Sequence, residues 1–184
     1  MNRPHQKKTR EGLGRSSTTQ PKALAFLCSM NCPGSIMIKS QDYAAELVKK
    51  GTPVISGFHS PIEKEVLRVL LRGKQPITIA LARSIKGFSI PPEWRSHIDS
   101  GKLTIIGSPK NDLNTAAACA KRNELVCRLA KSVFIAYAAP EGKLEQLAGK
   151  MAKWQKQKFT FKDDATKNLV ALGFKTIKDP APQL

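Results

Sequence analysis

Residues 52–63 read Thr52-Pro53-Val54-Ile55-Ser56-Gly57-Phe58-His59-Ser60-Pro61-Ile62-Glu63. Three physical signals follow one another in this stretch. The apolar pair Val54-Ile55 fits a short buried strand. Gly57 comes directly after it, where the absence of a Cβ lets a backbone approach another group closely. Ser60 then supplies an N-cap hydroxyl, and Pro61 suits the first helical position, where no N–H is needed. Beyond them Ile62, Val66, Leu67, Val69, Leu70 and Leu71 recur at helical spacing up to Gly73. The stretch therefore predicts a strand over 52–56, a glycine turn and an amphipathic helix over 61–72, which is one βα unit.

The same alternation extends in both directions. Upstream, residues 23–28 form an apolar run suited to a buried parallel strand. A helix is expected over 36–50, with Tyr43, Ala44, Leu47 and Val48 on one face and Gly51 at its end. Downstream, strands are expected at 76–81, 103–106 and 133–138. Helices are expected from Pro91-Pro92 to 100, over 115–131 and over 143–154. A sixth strand at 159–161 and a short helix at 167–172 complete the order. Strands separated by helices predict an α/β fold, a Rossmann-like parallel sheet of about five to six strands with helices on both faces. Residues 1–21 read as a disordered basic tail bearing Arg3, Lys7, Lys8, Arg10 and Arg15, either a solvated end or an electrostatic arm. Residues 22–154 read as the Rossmann domain, and 155–184 as a short C-terminal extension packed on it.

Charge narrows the partners. The chain of 184 residues has 31 Lys and Arg against 14 Asp and Glu, a formal net charge of +17. Such an excess repels itself unless an anion is near, and it is the electrostatic footprint of nucleic-acid binding. No basic amphipathic helix points to a membrane surface, no apolar run approaches a membrane span, and residues 1–20 lack the apolar core of a secretory signal. Cys28, Cys32, Cys119 and Cys127 do not have zinc-finger or zinc-ribbon spacing. They read as small buried residues with free thiols, which suits a cytoplasmic location.

Parallel sheets place their ligands at the carboxyl ends of the strands. That rule selects the loops 29–34, 57–60, 83–87, 108–114 and 139–143. From these loops and the basic break in the 115–131 helix come the phosphate-binding candidates: Ser29, Ser56, Gly57, His59, Ser60, Arg83, Arg122, Asn123, Gly142 and Lys143. Backbone N–H groups at 57–60 and near Gly142 would hold phosphate, since a helix N-terminus offers free donors. The 57–60 turn serves equally well as an ordinary strand-to-helix connection with a serine cap. Arg83, Arg122 and Lys143 would add charge, and Asn123 would fix a sugar or base edge. Phe58 and Phe88 are the candidates for base stacking. Dinucleotide and Walker A loops are absent, so no nucleotide cofactor is expected. No catalytic set is expected either. His59 and Ser60 lack an orienting acid, because Glu63 is expected to point along its helix. No metal-ligand cluster stands out.

Taken in order, these residues resemble the DNA-processing protein DprA. The family has a Ser-Gly turn entering a helix, as in Ser56-Gly57-Phe58-His59-Ser60-Pro61-Ile62-Glu63. Its Arg-Asn pair before an apolar helix resembles Arg122-Asn123, followed by Glu124, Leu125 and Val126, and its next strand and turn resemble 133–142. The run 58–65 followed by Arg72-Gly73-Lys74-Gln75-Pro76 is similar to short members of the family, and the likeness spans about 130 residues. It implies binding of single-stranded DNA in a basic pocket and handover to a RecA-type recombinase, with homodimerisation left open. Two positions depart from the family. His59-Ser60 stands where the family has an Arg, and Ser29-Met30 stands in its Gly-x-Arg. Pro140-Glu141-Gly142-Lys143-Leu144-Glu145 is similar, at Pro140, Gly142 and Glu145, to the phosphate loop of LOG-type nucleotide phosphoribohydrolases. That likeness implies an alternative as an enzyme cleaving nucleoside monophosphates. A third alternative is a non-catalytic nucleotide-sensing module.

Overall fold

Seven short segments pair side by side in a computed structural model that describes residues 23–107 and 115–177. They are β1 (Leu24–Cys28), β2 (Val54–Ser56), β3 (Ile77–Ala80), β4 (Leu103–Ile106), β5 (Ser132–Tyr137), β6 (Gln157–Phe161) and β7 (Lys175–Ile177). Every pairing is parallel, in the order β4-β3-β2-β1-β5-β6-β7. The connecting helices are α1 (Gly34–Lys49), α2 (Pro61–Leu70), α3 (Arg95–Asp99), α4 (Ala116–Leu129), α5 (Lys143–Met151) and α6 (Lys167–Ala171).

β1 shows how one sequence builds both faces. Its five residues are all buried. Leu24, Phe26 and Cys28 point into the core under α1 and α2, while Ala25 and Leu27 point into the core under α4, α5 and α6. This period of two is intrinsic to a strand, and burial on both faces explains why the run is apolar without alternation. Tyr43 of α1 stacks on Phe134 of β5 at 4.2 Å, and Phe161 of β6 meets Phe134 edge-on at 4.8 Å.

The expected α/β class and parallel sheet are present, but the sheet has seven strands where five to six were expected. The seventh, β7, is three residues long and mostly exposed, so no apolar run announces it. Residues 157–177 therefore extend the same sheet by two strands, around α6. The expected basic tail 1–21 and the expected site loop 108–114 lie outside the described residues.

Candidate functional site

The chain steps outward from β1 through β2 and β3 to β4, then returns to β5 on the other side of β1. The strand order thus reverses between β1 and β5, the position at which such sheets open a crevice. Here that crevice is laced shut. The Ser29 hydroxyl accepts a hydrogen bond from the Ala139 N–H at 3.0 Å. Gly142 donates its N–H to the Ala139 carbonyl at 3.0 Å and caps α5. A Cβ on Gly142 would lie 2.8 Å from that carbonyl oxygen, so the turn requires glycine. Glu141 adopts φ +59, and its N–H donates to the Glu145 carboxylate at 2.6 Å. Asn168 donates to the other Glu145 oxygen, so both oxygens of Glu145 are engaged within the fold. Lys143 is exposed beside this turn.

The β2–α2 turn is built in the same way, and more deeply. The buried Ser56 hydroxyl accepts from the Phe58 N–H at 3.1 Å, and Phe58 adopts φ +46. Ser60 and Glu63 form a reciprocal capping box at the start of α2. Glu63 does not point along its helix, contrary to the sequence expectation. Its carboxylate curls back beneath the turn and accepts from the N–H groups of Cys28 at 3.0 Å, His59 at 2.7 Å and Ser60 at 3.3 Å. Burial raises the Glu63 pKa, while these donors and the nearby Arg122 pull it the other way without cancelling the rise. The sequence carried a signal for this arrangement in the spacing Ser60-x-x-Glu63, the pattern of a capping box.

This internal carboxylate occupies the N–H groups of His59 and Ser60, which the sequence reading assigned to phosphate. The N–H groups of Phe58, His59 and Ser60 are thus all bonded within the turn, to the Ser56 hydroxyl and the Glu63 carboxylate. Phe58 is buried, so of the two aromatics expected to stack on bases only Phe88 reaches the surface.

Arg122 lies in the middle of α4, yet it points inward and is only 8% exposed. Its Nε donates to the Asn123 Oδ1 at 2.8 Å and its Nη1 to the Ala80 carbonyl at 3.3 Å. Among the described residues its Nη2 donates no hydrogen bond. The guanidinium lies directly over Gly57, where an added Cβ would sit 1.7 Å from Nη1. This contact gives the physical reason for glycine at that position. Beside Arg122 opens a cavity of about 130 Å³ walled by residues 80–82, Ile106, Gly107, Lys121 and Leu125. Arg83 follows directly after Ala82 on this rim. His59 reaches solvent on the turn. Partial burial, and after it the positive charges of Arg122 and Lys64, hold its pKa below 6.5.

The fold therefore brings Ser56, Gly57, His59, Ser60, Arg122 and Asn123 together, with Arg83 along the same edge. Ser29, Gly142 and Lys143 sit at the neighbouring β1–β5 end, tied to the first group through the Glu63 bond to Cys28. Among the described residues no cluster of His, Cys, Asp and Glu is arranged to hold a metal. No described helix is long and apolar enough to cross a membrane.

Neither a protein-family model nor a curated protein matches the chain. Solved structures do. DNA processing protein A from Helicobacter pylori, described in a single-stranded DNA binding mode, matches with TM-score 0.69 and 20% identity over 87% of this chain and 77% of that one. DprA from Streptococcus pneumoniae matches with TM-score 0.69 and 13% identity over 88% of this chain. This chain spans 60% of the length of the S. pneumoniae protein. The molybdenum cofactor carrier protein of Chlamydomonas reinhardtii matches with TM-score 0.60 and 10% identity over 87% of this chain and 91% of that one. At these identities the likeness establishes a shared Rossmann-like fold.

Proposed function

We propose that the carboxyl edge of β1, β2 and β3 binds single-stranded DNA through its phosphates. One observation carries this reading. A nearly buried Arg122 lines a cavity and, among the described residues, donates no hydrogen bond from Nη2, in a chain of net charge +17. A guanidinium held over a glycine and braced by Asn123 and the Ala80 carbonyl is already oriented, so binding costs little side-chain entropy. Lys121, Arg83 and Lys143 add charge along the edge. Contacts of this kind fix a backbone without reading bases, so sequence preference is weak. The fold shared with two DprA proteins supports the same reading. By that resemblance the bound strand would pass to a RecA-type recombinase, in cytoplasmic DNA uptake or recombination.

Binding is favoured over the phosphoribohydrolase alternative because Glu145, the residue the enzyme reading needs, spends both oxygens on Glu141 and Asn168. A polarisation titration against single-stranded DNA, duplex DNA, RNA and AMP tests the proposal. Single-stranded DNA binds most tightly, and Arg122→Ala weakens it by about 1–3 kcal/mol, the scale of a charge-assisted contact. Unchanged affinity in Arg122→Ala contradicts the proposed site. Release of adenine from AMP would restore the enzyme reading.

A further inference from the structure

The loop after β3 holds a stack of three planar groups. The Arg83 guanidinium lies over the Phe88 ring, 5.5 Å from its centroid. Phe88 stacks on Trp94, with centroids 6.3 Å apart and planes inclined by 29°. All three side chains are half-buried, so the stack is open to solvent, while Trp94 rests on the core beneath α1 and α2.

The loop is locally braced. Phe88 donates its N–H to the Ile85 carbonyl at 2.9 Å, and Lys86 donates its N–H to the Ser84 hydroxyl at 3.1 Å. Gly87 takes φ +72, which turns Phe88 toward Arg83. Pro91 and Pro92 fix the next turn, where the Trp94 N–H donates to the Pro91 carbonyl at 3.0 Å. The stack begins at Arg83, next to Ala82 in the wall of the Arg122 cavity.

We infer that Arg83, Phe88 and Trp94 form a nucleobase-stacking platform, and that Arg83 serves both the base and the adjoining phosphate. The inference rests on the nucleic-acid reading of the same edge. A guanidinium resting on an aromatic ring is planar and cationic, so it offers a stacking face to a base and fork donors to a phosphate. Every base has a π-face, so such a platform adds affinity without sequence preference. A core-packing role alone does not require the open face or the cation above it.

The test compares a ten-residue oligothymidylate with an abasic deoxyribose-phosphate oligomer of equal length and charge, at fixed ionic strength. It uses the full chain carrying Trp154→Phe, which leaves Trp94 as the sole tryptophan. Trp154 packs under Arg128, away from this loop, and phenylalanine keeps a ring there. The thymidylate binds about tenfold tighter than the abasic oligomer, the scale of one stacked base, and it alone quenches Trp94 emission. Phe88→Leu keeps the apolar packing but abolishes both the preference and the quenching, while abasic affinity holds. Equal affinity for the two oligomers overturns the platform and leaves the phosphate site standing. A thymidylate preference that survives in Phe88→Leu also overturns it, because the base contact then lies elsewhere. If neither oligomer binds, the nucleic-acid reading falls together with the platform.

Discussion

Arg122, Gly57 and Glu63 form one unit at the residue scale. A buried carboxylate holds the turn from below, glycine leaves room above it, and the guanidinium fills that room. Gly57→Ala therefore places a methyl group in the guanidinium's space. The arginine head is the end of a flexible chain and swings away. We expect a stability loss of about 1 kcal/mol, the ordinary scale for a point substitution, with a DNA-affinity loss as large as that of Arg122→Ala. Urea unfolding and polarisation titration on one preparation separate the two effects. An unchanged affinity would show that the guanidinium's position over Gly57 is irrelevant to binding. His59 gives a second prediction. Partial burial and neighbouring cations hold its pKa below 6.5 in the free protein. A phosphate alongside favours the imidazolium and raises that pKa, so binding takes up a proton. Affinity is then higher at pH 6 than at pH 8 and declines as pH rises through the pKa of the complex. His59→Gln flattens this dependence in titrations at fixed ionic strength. His97 also has a lowered pKa, from burial and then Lys102, and is unchanged in the variant. If His59→Gln shows the wild-type pH dependence, His59 does not face the phosphate.

Elements carry the part of the account that was most legible in sequence. Val54-Ile55 followed by Gly57 and Ser60-Pro61 predicts a strand, a turn and a capped helix, and β2 and α2 lie there. β7 was not legible because three mostly exposed residues carry no periodic signal. The Glu63 geometry was legible in principle, through the capping-box spacing, but its second role required the tertiary approach of β1's end. The end of α4 shows another long-range contact invisible in sequence. Lys156, in the turn before β6, reaches back to the carbonyls of Cys127, Arg128 and Ala130. An ammonium at a helix C-terminus satisfies orphan carbonyls and complements the helix dipole. Lys156→Met should therefore lower stability by about 1–2 kcal/mol in urea unfolding, the upper range for a partly buried helix-terminal charge. DNA affinity should hold, since Lys156 stands apart from the Arg122 edge. An unchanged unfolding midpoint would mean that water serves those carbonyls equally well.

On the scale of the whole molecule, a net charge of +17 dominates. Such a chain repels itself and attracts polyanions along its surface. Binding that releases counterions from DNA weakens linearly on a log–log plot against salt, with a slope of about −0.7 per phosphate neutralised on a single strand. On the proposed reading two sources of charge would contribute, the edge around Arg122 and the basic residues of 1–20. Deleting residues 1–20 should flatten the slope while leaving the Arg122→Ala effect intact. The most direct test of the central claim is the affinity of the full chain for single-stranded DNA across a salt series, measured by polarisation. The account predicts a steep negative slope equivalent to several phosphate contacts. A slope near zero would contradict it.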